Sequence, residues 1–413
     1  MRGLVMPDQS SAQRWLTVIG IGEDGPAGLG DHAKRLIAEA PLVFGGKRHV
    51  ELAASLIRGE VHTWLSPIDR SIDIILANRG KPVVVLASGD PFFFGIGATL
   101  SRRVPAAEMT VIPSPSSFSL AASRLAWPLQ DVAIVSLHGR PIDLIRPHLY
   151  PGRKILALTS DENGPAALAK LLAETGFGRS HLTLLEALGG PQERISDHVA
   201  KSFDGTGINP LNICGIEVLA EDGARVLPLT SGLDDGLFEH DGQITKREIR
   251  AMTLSALAPR RGELLWDIGA GSGSIGIEWM LADPAMRAIA IEAAAERVAR
   301  IERNKVAFGV PGLVLVEGKA PDALNGLPAP DAIFIGGGGS ETGVVDTAIS
   351  ALKRGGRLVA NAVTTEMELI LLGEHGRRGG SLVRINIARA APVGTMTGWR
   401  PAMPVTQWVW TKP

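Results

Sequence analysis

The amino-acid sequence predicts an α/β protein of two domains, in which mostly parallel sheets are covered by helices. Two observations lead to this fold class. Short apolar runs alternate with helix-like stretches along the whole chain, as expected for strands that helices bury on both faces. The chain has 413 residues, which is more than one hydrophobic core usually organises.

The N-terminal half contains eight strand-like runs. The first, WLTVIGIG, is followed by the helix-like stretch DHAKRLIAEA, whose Asp31 is a suitable N-terminal cap. The other runs are short and rich in β-branched residues, and they read PLVFGG, KPVVVLASG, EMTVIPS, DVAIVSL, RKILALTS, LTLLEAL and LNICGIEVLA.

A break in the pattern predicts the domain boundary near Ser231. The stretch LPLTSGLDDGLFEHDGQ, residues 227–243, is acidic, contains glycine and lacks apolar periodicity. The alternation then restarts with ELLWDIG, AIAIEA, LVLVEG, DAIFIGG and GRLVANAV. We therefore predict a flexible tail over 1–14, a first domain over 15–228, a linker over 229–242 and a second domain over 243–413.

The composition argues against several classes of partner. The net charge is −1 and aromatic residues make up 5% of the chain, which does not favour nucleic-acid binding. The one cysteine, Cys214, and nine scattered histidines provide neither a disulfide nor a recognisable metal site. No apolar run reaches the roughly 18 residues of a membrane helix, and no secretion signal opens the chain. We expect a cytoplasmic protein without a bound metal.

The turn DIGAGSGSIG, which begins at Asp267, indicates a nucleoside ligand without phosphate. Gly271, Gly273 and Gly276 fit G-x-G-x-x-G, a pattern also found at dinucleotide sites. Asp267, however, would repel a pyrophosphate and would attract an ammonium group. S-adenosylmethionine carries such a group, and the glycines Gly269, Gly271 and Gly273 let the backbone approach it closely.

Residues farther along the second domain fit the same ligand. Glu292 ends the next strand-like run, where an acidic side chain can bind both ribose hydroxyls. Gly318 and Lys319 follow the third run and are candidates to flank the adenine. Four glycines, 336–339, end the fourth run and leave room for a flat, bulky substrate.

The N-terminal half contains three further turns of unusual composition. Gly20, Gly22 and Gly25 also fit G-x-G-x-x-G, but Glu23 and Asp24 would face any phosphate. The stretches LASGDPFFFGIG, residues 86–97, and IPSPSSFSLAASRLAWP each follow a strand-like run, as does SLHGR. Each alone is compatible with ordinary turn chemistry. Their combination in this order is much more specific.

On these motifs, residues from about 15 to 220 resemble the tetrapyrrole methylase family. The matching stretches are GIGEDGP, SGDPFFFG and PSPSS, and SLHGR is similar to the branch that methylates carbon 5 of the corrin precursor. One departure is that Glu23, Asp24 and Gly25 stand where many members have Pro-Gly-Asp. The C-terminal half, with DGQITKREIRA before DIGAGSGS, resembles a class I methyltransferase that methylates carbon 15 and decarboxylates.

The resemblance implies a two-lobed tetrapyrrole methylase fold followed by a class I Rossmann-like methyltransferase fold. It implies methylation of reduced precorrin-6 (precorrin-6B) at carbons 5 and 15, with loss of the ring C acetate carboxyl, to give precorrin-8 in cobalamin biosynthesis. S-adenosylmethionine would be the methyl donor at two unlike sites. In the first domain the resemblance places it near His138 and against Gly89, Asp90, Pro91, Ser116, Ser117 and Thr159, with the first glycine loop lining the substrate trough.

A tetrapyrrole substrate with many carboxylates needs cationic side chains around it. The candidates are His138 and Arg140 in the first domain and Lys246, Arg247 and Arg250 at the entry to the second. No residue is assigned to the decarboxylation. A fused enzyme of this type is expected to be a homo-oligomer.

Three alternative functions compete with this interpretation. A protein of this family with an inactive N-terminal half would have a single methylating and decarboxylating activity, and the sequence leaves this open. An NAD-linked oxidoreductase is disfavoured by Asp267. An RNA methyltransferase is disfavoured by the charge balance and by the lack of a base-methylating signature after the fourth strand.

Overall fold

The computed structural model describes residues 14–413, so all but the last residue of the predicted tail lies outside the described residues. The described chain divides into two compact units. Residues 14–142 and Tyr150–Arg225 form the first unit, and Asp143–Leu149 with Val226–Pro413 form the second. The α/β architecture predicted from the sequence is confirmed for both.

The first lobe of the first unit is a parallel sheet with strand order β3-β2-β4-β1-β5. Its strands and helices are β1 (Leu16–Ile21), α1 (Asp31–Glu39), β2 (Leu42–Gly45), α2 (Lys47–Ala53), β3 (Glu60–Thr63), α3 (Asp69–Ala77), β4 (Val83–Ser88), α4 (Ile96–Leu100) and β5 (Met109–Ile112). In β4, Val83 and Val85 enter one core, and Val84 and Leu86 enter the core on the opposite face. The continuous apolar run therefore reflects burial of both faces.

The second lobe of the first unit is a mixed sheet with strand order β6-β7-β10-β8-β9. Only β6 and β7 pair in parallel, and the other neighbours are antiparallel. Its elements are α5 (Ser117–Leu125), β6 (Val132–Ser136), β7 (Lys154–Leu158), α6 (Gly164–Glu174), β8 (His181–Glu186), β9 (Arg194–Val199) and β10 (Asn212–Glu217).

The second unit is a seven-stranded sheet with order β13-β12-β11-β14-β15-β19-β16 and a separate β17–β18 hairpin. The five strands from β13 to β15 are parallel, and β19 runs antiparallel to both of its neighbours. The elements are α7 (Arg247–Leu257), β11 (Leu264–Ile268), α8 (Ser274–Leu281), β12 (Arg287–Glu292), α9 (Ala295–Ala307), β13 (Val314–Glu317), β14 (Ala332–Ile335), α10 (Val344–Ala351), β15 (Arg357–Ala362), α11 (Thr365–Arg378), β16 (Ser381–Ile385), β17 (Ala388–Val393), β18 (Met396–Pro401) and β19 (Val405–Thr411).

The segment predicted as a linker, 229–242, packs into the second unit. Leu233 and Phe238 are 2% and 5% exposed and belong to the core that also contains Leu265 of β11. These two apolar side chains show no helical or strand periodicity, which explains why the sequence pattern suggested a linker. No helix among residues 14–413 is long and apolar enough to cross a membrane.

Candidate functional site

The first unit contains a cavity of about 460 Å³, a size typical of small-molecule sites. Both lobes line it. The first lobe provides the loop after β1, the start of α2 and the end of β4, and the second lobe provides the ends of β7 and β8 and the start of β10. Most of these positions lie at the carboxyl ends of strands, where α/β proteins bind ligands.

Five of the residues predicted for the first domain lie on the wall of this cavity, namely Gly89, Ser116, Ser117, His138 and Thr159. Gly89 has a φ of +49°, and a Cβ there would lie 2.9 Å from the Pro115 carbonyl oxygen and the Ser116 Cα. Only glycine allows the two loops to approach this closely. The structure thus brings together the turns at Gly89 and Ser116.

Three other predicted residues of the first domain are not part of the cavity wall. Asp90 and Pro91 form the turn beneath it, in which the Asp90 carboxylate accepts a hydrogen bond from the Phe92 N–H at 2.9 Å. Arg140 is exposed, and its guanidinium lies 5.9 Å from the centre of the Phe94 ring. Asp90 therefore shapes the turn with its side chain.

The aromatic side chains after this turn form an exposed apolar edge of the cavity. Phe93 and Phe94 are 38% and 50% exposed, line the cavity, and pack on Phe118 with ring centres 5.2 and 5.8 Å apart. Exposed aromatic rings beside a pocket provide a surface for a flat apolar ligand.

Asn212, a polar residue that no sequence pattern indicated, holds Thr159 in place. The Thr159 hydroxyl donates to the Asn212 side-chain oxygen, and the Asn212 amide donates to the Asp161 and Asn209 carbonyls at 3.0 and 2.8 Å. Both side chains are buried. Asn212 opens β10, and only the pairing of distant strands places it against Thr159.

Sequence analysis also missed a polar cluster on the cavity wall formed by Glu23, Arg48, His49 and Ser88. His49 lies 2.7 Å from the Ser88 hydroxyl and 2.8 Å from the Arg48 guanidinium. Burial, together with the charge of Arg48, lowers the pKa of His49 to about 4. In the sequence, the cluster is marked only by the basic stretch Lys47-Arg48-His49 after the glycine pair 45–46. This stretch does not match a known functional motif.

In the second unit, Asp267 is the second-to-last residue of β11 and is 1% exposed. Its Oδ2 accepts a hydrogen bond from the Gly276 N–H at 3.0 Å, whereas its buried Oδ1 has no hydrogen-bond partner among the described residues. Burial, and to a lesser degree the charge of Glu292, raises the pKa of Asp267 to about 7. A buried carboxylate oxygen without a partner is costly, so it fits a site that a ligand's ammonium group completes.

The glycine loop links Asp267 to Glu292. The Glu292 carboxylate accepts hydrogen bonds from the Gly271 N–H at 2.9 Å and the Ala294 N–H at 3.0 Å. Gly269 has a φ of +68°, and a Cβ there would overlap the main chain of Gly337. The ends of β11, β12 and β14 therefore meet around one small space, with Gly273 at the start of α8.

Gly318 lies next to the glycine loop, whereas the side chain of Lys319 points to the surface. The Gly318 N–H donates to the Glu292 carbonyl at 2.9 Å, which places Gly318 beside the loop. The exposed Lys319 ammonium lies 2.9 Å from the Glu341 carboxylate. Lys319 is thus close in sequence to the site, while its side chain is paired at the surface.

Arg250 is not a substrate-binding residue, and the prediction for it is wrong. Its side chain is fully buried and lies 2.5 Å from the Glu278 carboxylate and 3.0 Å from that of Asp235. It also donates to the Thr245 and Leu233 carbonyls. Glu278 in turn accepts from the Gly232 and Leu233 N–H groups, so the pair anchors the segment 232–245.

Lys246 and Arg247 remain available at the start of α7. Lys246 is the N-terminal cap residue and is partly exposed, and Arg247 is exposed. Gln243, three residues before Lys246, has its carbonyl oxygen 3.5 Å from where a Cβ on Gly271 would lie. The segment 232–245 therefore passes beside the glycine loop.

Asn304 of α9, another residue that sequence analysis missed, joins this segment to the glycine loop. Its amide donates to the Ser272 and Glu239 carbonyls at 2.9 Å each, and its oxygen accepts from the Glu239 N–H at 2.9 Å. Asp241 is paired with Arg297 and Arg300 at 3.1 and 3.0 Å. These contacts fix the loop before any ligand binds. Within residues 14–413, no group of three or more potential metal ligands is arranged to hold an ion.

Comparisons with known proteins match each half to its own family model and nearly the whole chain to single relatives. A family model described as tetrapyrrole (corrin/porphyrin) methylases matches residues 15–203, and one described as a precorrin methyltransferase domain matches residues 236–412. The chain is 70% identical over 398 residues to a precorrin-6Y C(5,15)-methyltransferase [decarboxylating] of Sinorhizobium sp, covering 96% of each chain. It is 40% identical over 400 residues to the protein of that name from Mycobacterium tuberculosis (strain CDC 1551 / Oshkosh), covering 96% of this chain and 100% of the relative.

One solved structure among those similar to this chain is the C-terminal domain of precorrin-6Y C5,15-methyltransferase from Rhodobacter capsulatus. It shares 50% identity, covers 45% of this chain and 100% of its own, and superimposes with a TM-score of 0.43.

Proposed function

Because the chain belongs to the family of precorrin-6Y C(5,15)-methyltransferases (decarboxylating), we propose that it methylates precorrin-6B at carbons 5 and 15. The ring C acetate loses its carboxyl as carbon dioxide, and the product is precorrin-8 in cobalamin biosynthesis. The observation that carries this proposal is that one chain holds two unlike candidate sites, one in each of the two regions that the family models match, with the first cavity extending to Ile213.

The two activities divide between the halves. The first unit, with its two-lobed cavity, methylates carbon 5. The second unit methylates carbon 15 and removes the carboxyl. This division rests on the resemblance of each half to its own methyltransferase type, and 15–228 and 243–413 stay the proposed domains, with the segment 229–242 packed into the second unit.

S-adenosylmethionine supplies an electrophilic methyl group at both sites. In the second unit, Asp267 Oδ1 accepts hydrogen bonds from the ammonium group of S-adenosylmethionine, because this buried acceptor has no other partner within residues 14–413. Glu292 is held by Gly271 and Ala294 so that its remaining lone pairs face the ribose hydroxyls. Gly318 lies beside the adenine, and Lys319 flanks the adenine from the protein surface.

In the first unit, Gly89, Ser116, Ser117 and Thr159 hold the methyl donor, while Phe93 and Phe94 pack against the tetrapyrrole. His138 and Arg140, from the second lobe, bind substrate carboxylates. The chain's task is mainly to align a nucleophilic carbon with the methyl group, an entropic contribution. The loops that approach each other closely at Gly89 lie where they can position the methyl donor.

In the second unit, Lys246 and Arg247 bind the acetate and propionate groups at the start of α7. Loss of carbon dioxide is driven by electron flow into the conjugated macrocycle, so the protein's part is to orient the acetate and to stabilise charge. No side chain is assigned to that step. The homo-oligomeric state also stays a proposal, which sedimentation velocity measures.

The test is mass spectrometry of the tetrapyrrole after incubation of the purified protein with S-adenosylmethionine and precorrin-6B. We expect a gain of two methyl groups and a loss of one carbon dioxide. One methyl group with the same loss would assign activity to the second unit alone and support the inactive N-terminal half. An unchanged tetrapyrrole would overturn the proposed substrate.

A further inference from the structure

Four polar side chains from three parts of the first lobe meet on the cavity wall. Glu23 follows β1, Arg48 and His49 lie in the first turn of α2, and Ser88 ends β4. We call them the Ser88–His49 cluster. Nothing in the binding roles proposed above uses these four residues, although they face the same space as the residues that hold the methyl donor.

The hydrogen bonds of the cluster define the state of the imidazole. Arg48 Nη2 lies 2.8 Å from His49 Nε2 and 3.0 Å from Ser88 Oγ. Because a guanidinium only donates, Nε2 must be an acceptor and carries no proton. The Ser88 hydroxyl, 2.7 Å from Nε2, is a second donor that shares the single lone pair of Nε2 with Arg48.

The ring's other nitrogen, Nδ1, then carries the proton of the neutral imidazole. His49 Nδ1 is buried and has no hydrogen-bond partner among residues 14–413. A buried N–H without a partner is costly, so the contacts at Nε2 are what hold the ring on the cavity wall. Arg48 is itself fixed by an ion pair with Glu23, so the cluster is ordered without a ligand.

The charged groups around His49 keep it neutral. Burial and the Arg48 cation both disfavour the imidazolium, which lowers the pKa of His49. Glu23, the carboxylate in the cluster, is already paired with Arg48. At neutral pH the site therefore presents a neutral base.

Methylation of the substrate releases one proton that must go to some acceptor. Carbon 5 uses the electron pair of its enamine double bond to form the new C–C bond. The S–CH₃ bond breaks, and its electron pair remains on sulfur as a thioether. The methylated tetrapyrrole has gained one positive charge, and it returns to its former charge by losing a proton from carbon 5 or a conjugated ring nitrogen.

We propose that His49 accepts this proton through the Ser88 hydroxyl during methylation of carbon 5. The Ser88 oxygen takes the substrate proton while its own proton passes to His49 Nε2, and the imidazolium then releases it to water. A weak base suffices, because the methylated intermediate is cationic and therefore acidic. The proposal rests on the function proposed for the first unit.

The position of Ser88 places the relay beside the reacting methyl group. Ser88 directly precedes Gly89, which we assign to the methyl donor's site, and its side chain lines the cavity. The other imidazole on the wall, His138, is exposed on the second lobe. His49 is the imidazole of the two that is hydrogen-bonded into a fixed orientation within the first lobe.

The experiment follows both methylations in the full-length protein by single-turnover mass spectrometry. We expect His49→Ala to slow methylation at carbon 5 by about 100-fold, the usual range for loss of a general base. Methylation at carbon 15 and decarboxylation should keep the wild-type rate and report that the chain is folded. Added imidazole should restore part of the carbon 5 rate, which a merely structural role would not produce.

Ser88→Ala and His32→Ala complete the set. Ser88→Ala removes one oxygen from an exposed strand end and should slow carbon 5 methylation without affecting the binding of S-adenosylmethionine measured by calorimetry. His32 lies exposed on α1, so His32→Ala should behave as the wild type.

A wild-type carbon 5 rate in either Ser88→Ala or a folded His49→Ala variant would overturn the relay. If His49→Ala loses the carbon 15 activity as well, Ser88→Ala decides alone. If the wild-type protein itself adds no methyl at carbon 5, the function proposed for the first unit is wrong.

Discussion

At the scale of single residues, the second site depends on one carboxylate with two unlike oxygens. Asp267 Oδ2 accepts a hydrogen bond from the Gly276 N–H, and the buried Oδ1 has no partner in the part of the chain that the structure describes. The first oxygen fixes the orientation of the side chain, and the second is free for a ligand. Asp267 is therefore the residue on which substitutions in this unit are most informative.

Replacing Asp267 by Asn tests its role in binding. Asn keeps an oxygen for the Gly276 N–H but removes the negative charge. A hydrogen bond to a charged group contributes about 1.5–3 kcal/mol, so we expect the affinity of the second unit for S-adenosylmethionine to fall roughly 10- to 100-fold by calorimetry. Asp346→Asn, at an exposed position of α10, is the matched control. Equal affinities for the two variants would contradict the assignment.

The pH dependence of binding tests the same residue. With a pKa of about 7, Asp267 is protonated in the free protein at lower pH, and an ammonium group binds only the carboxylate form. Affinity should therefore rise with pH up to about 7, by at most roughly tenfold per pH unit. It should fall again near pH 8, where the ligand's own amino group loses its proton.

Isothermal titrations at several pH values measure this profile. In Asp267→Asn the rise between acid and neutral pH should disappear, since the group that titrates is gone. A rise of the same steepness in that variant would show that another group controls binding.

At the scale of helices and strands, buried polar residues explain why the sequence did not predict strand β19. The predicted strand-like runs each coincide with a strand of the structure. The antiparallel β19 was missed because Thr406 and Gln407, both 4% exposed, interrupt its apolar pattern. The Gln407 amide is satisfied by Thr253 and Asn361, which come from elements distant in sequence.

The missed strands β3 and β9 have a different explanation. Most of their side chains are exposed or only partly buried, because each lies at the edge of its sheet. Edge strands carry little apolar signal, so the sequence offered no pattern to detect them.

The buried Arg250–Glu278 pair should matter for stability rather than for substrate binding. Arg250→Met leaves Glu278 as a buried charge without its partner, and breaking such a pair costs about 3–5 kcal/mol. We expect the free energy of unfolding of the second unit to fall by that amount in chemical denaturation, with part of it regained in the Arg250→Met, Glu278→Met double variant.

The control for this prediction is an exposed ion pair of the same unit. Arg384 and Glu368 lie 2.6 Å apart with the arginine side chain 56% exposed, so Arg384→Ala should cost less than about 1 kcal/mol. A folded Arg250→Met protein of unchanged stability but weaker substrate binding would show that Arg250 does bind the substrate.

At the scale of the whole molecule, two unlike sites predict two bound methyl donors per chain. Equilibrium dialysis of the full-length protein should give two molecules of S-adenosylmethionine per chain, and Asp267→Asn should leave one at the same ligand concentration. NADH should not bind, because Asp267 would repel its pyrophosphate. A wild-type ratio of one would contradict a second functional site and favour the single-activity alternative.

The fold class of both halves and the glycine turns that approach a ligand could be predicted from the amino-acid sequence alone. Those features depend on local chemistry: apolar runs, residues that permit positive φ, and an acid at a strand end. They are written in neighbouring positions, so a pattern of a few residues is enough to predict them.

Tertiary structure alone decided which side chains face a site. Asn212 meets Thr159, and Glu23, Arg48, His49 and Ser88 converge, because β-sheet pairing joins parts of the chain that are far apart in sequence. The same packing buries Arg250, which looks like any surface cation in its helix. Whether a charged residue is buried depends on what packs against it, and that physical fact cannot be read from its neighbours in the chain.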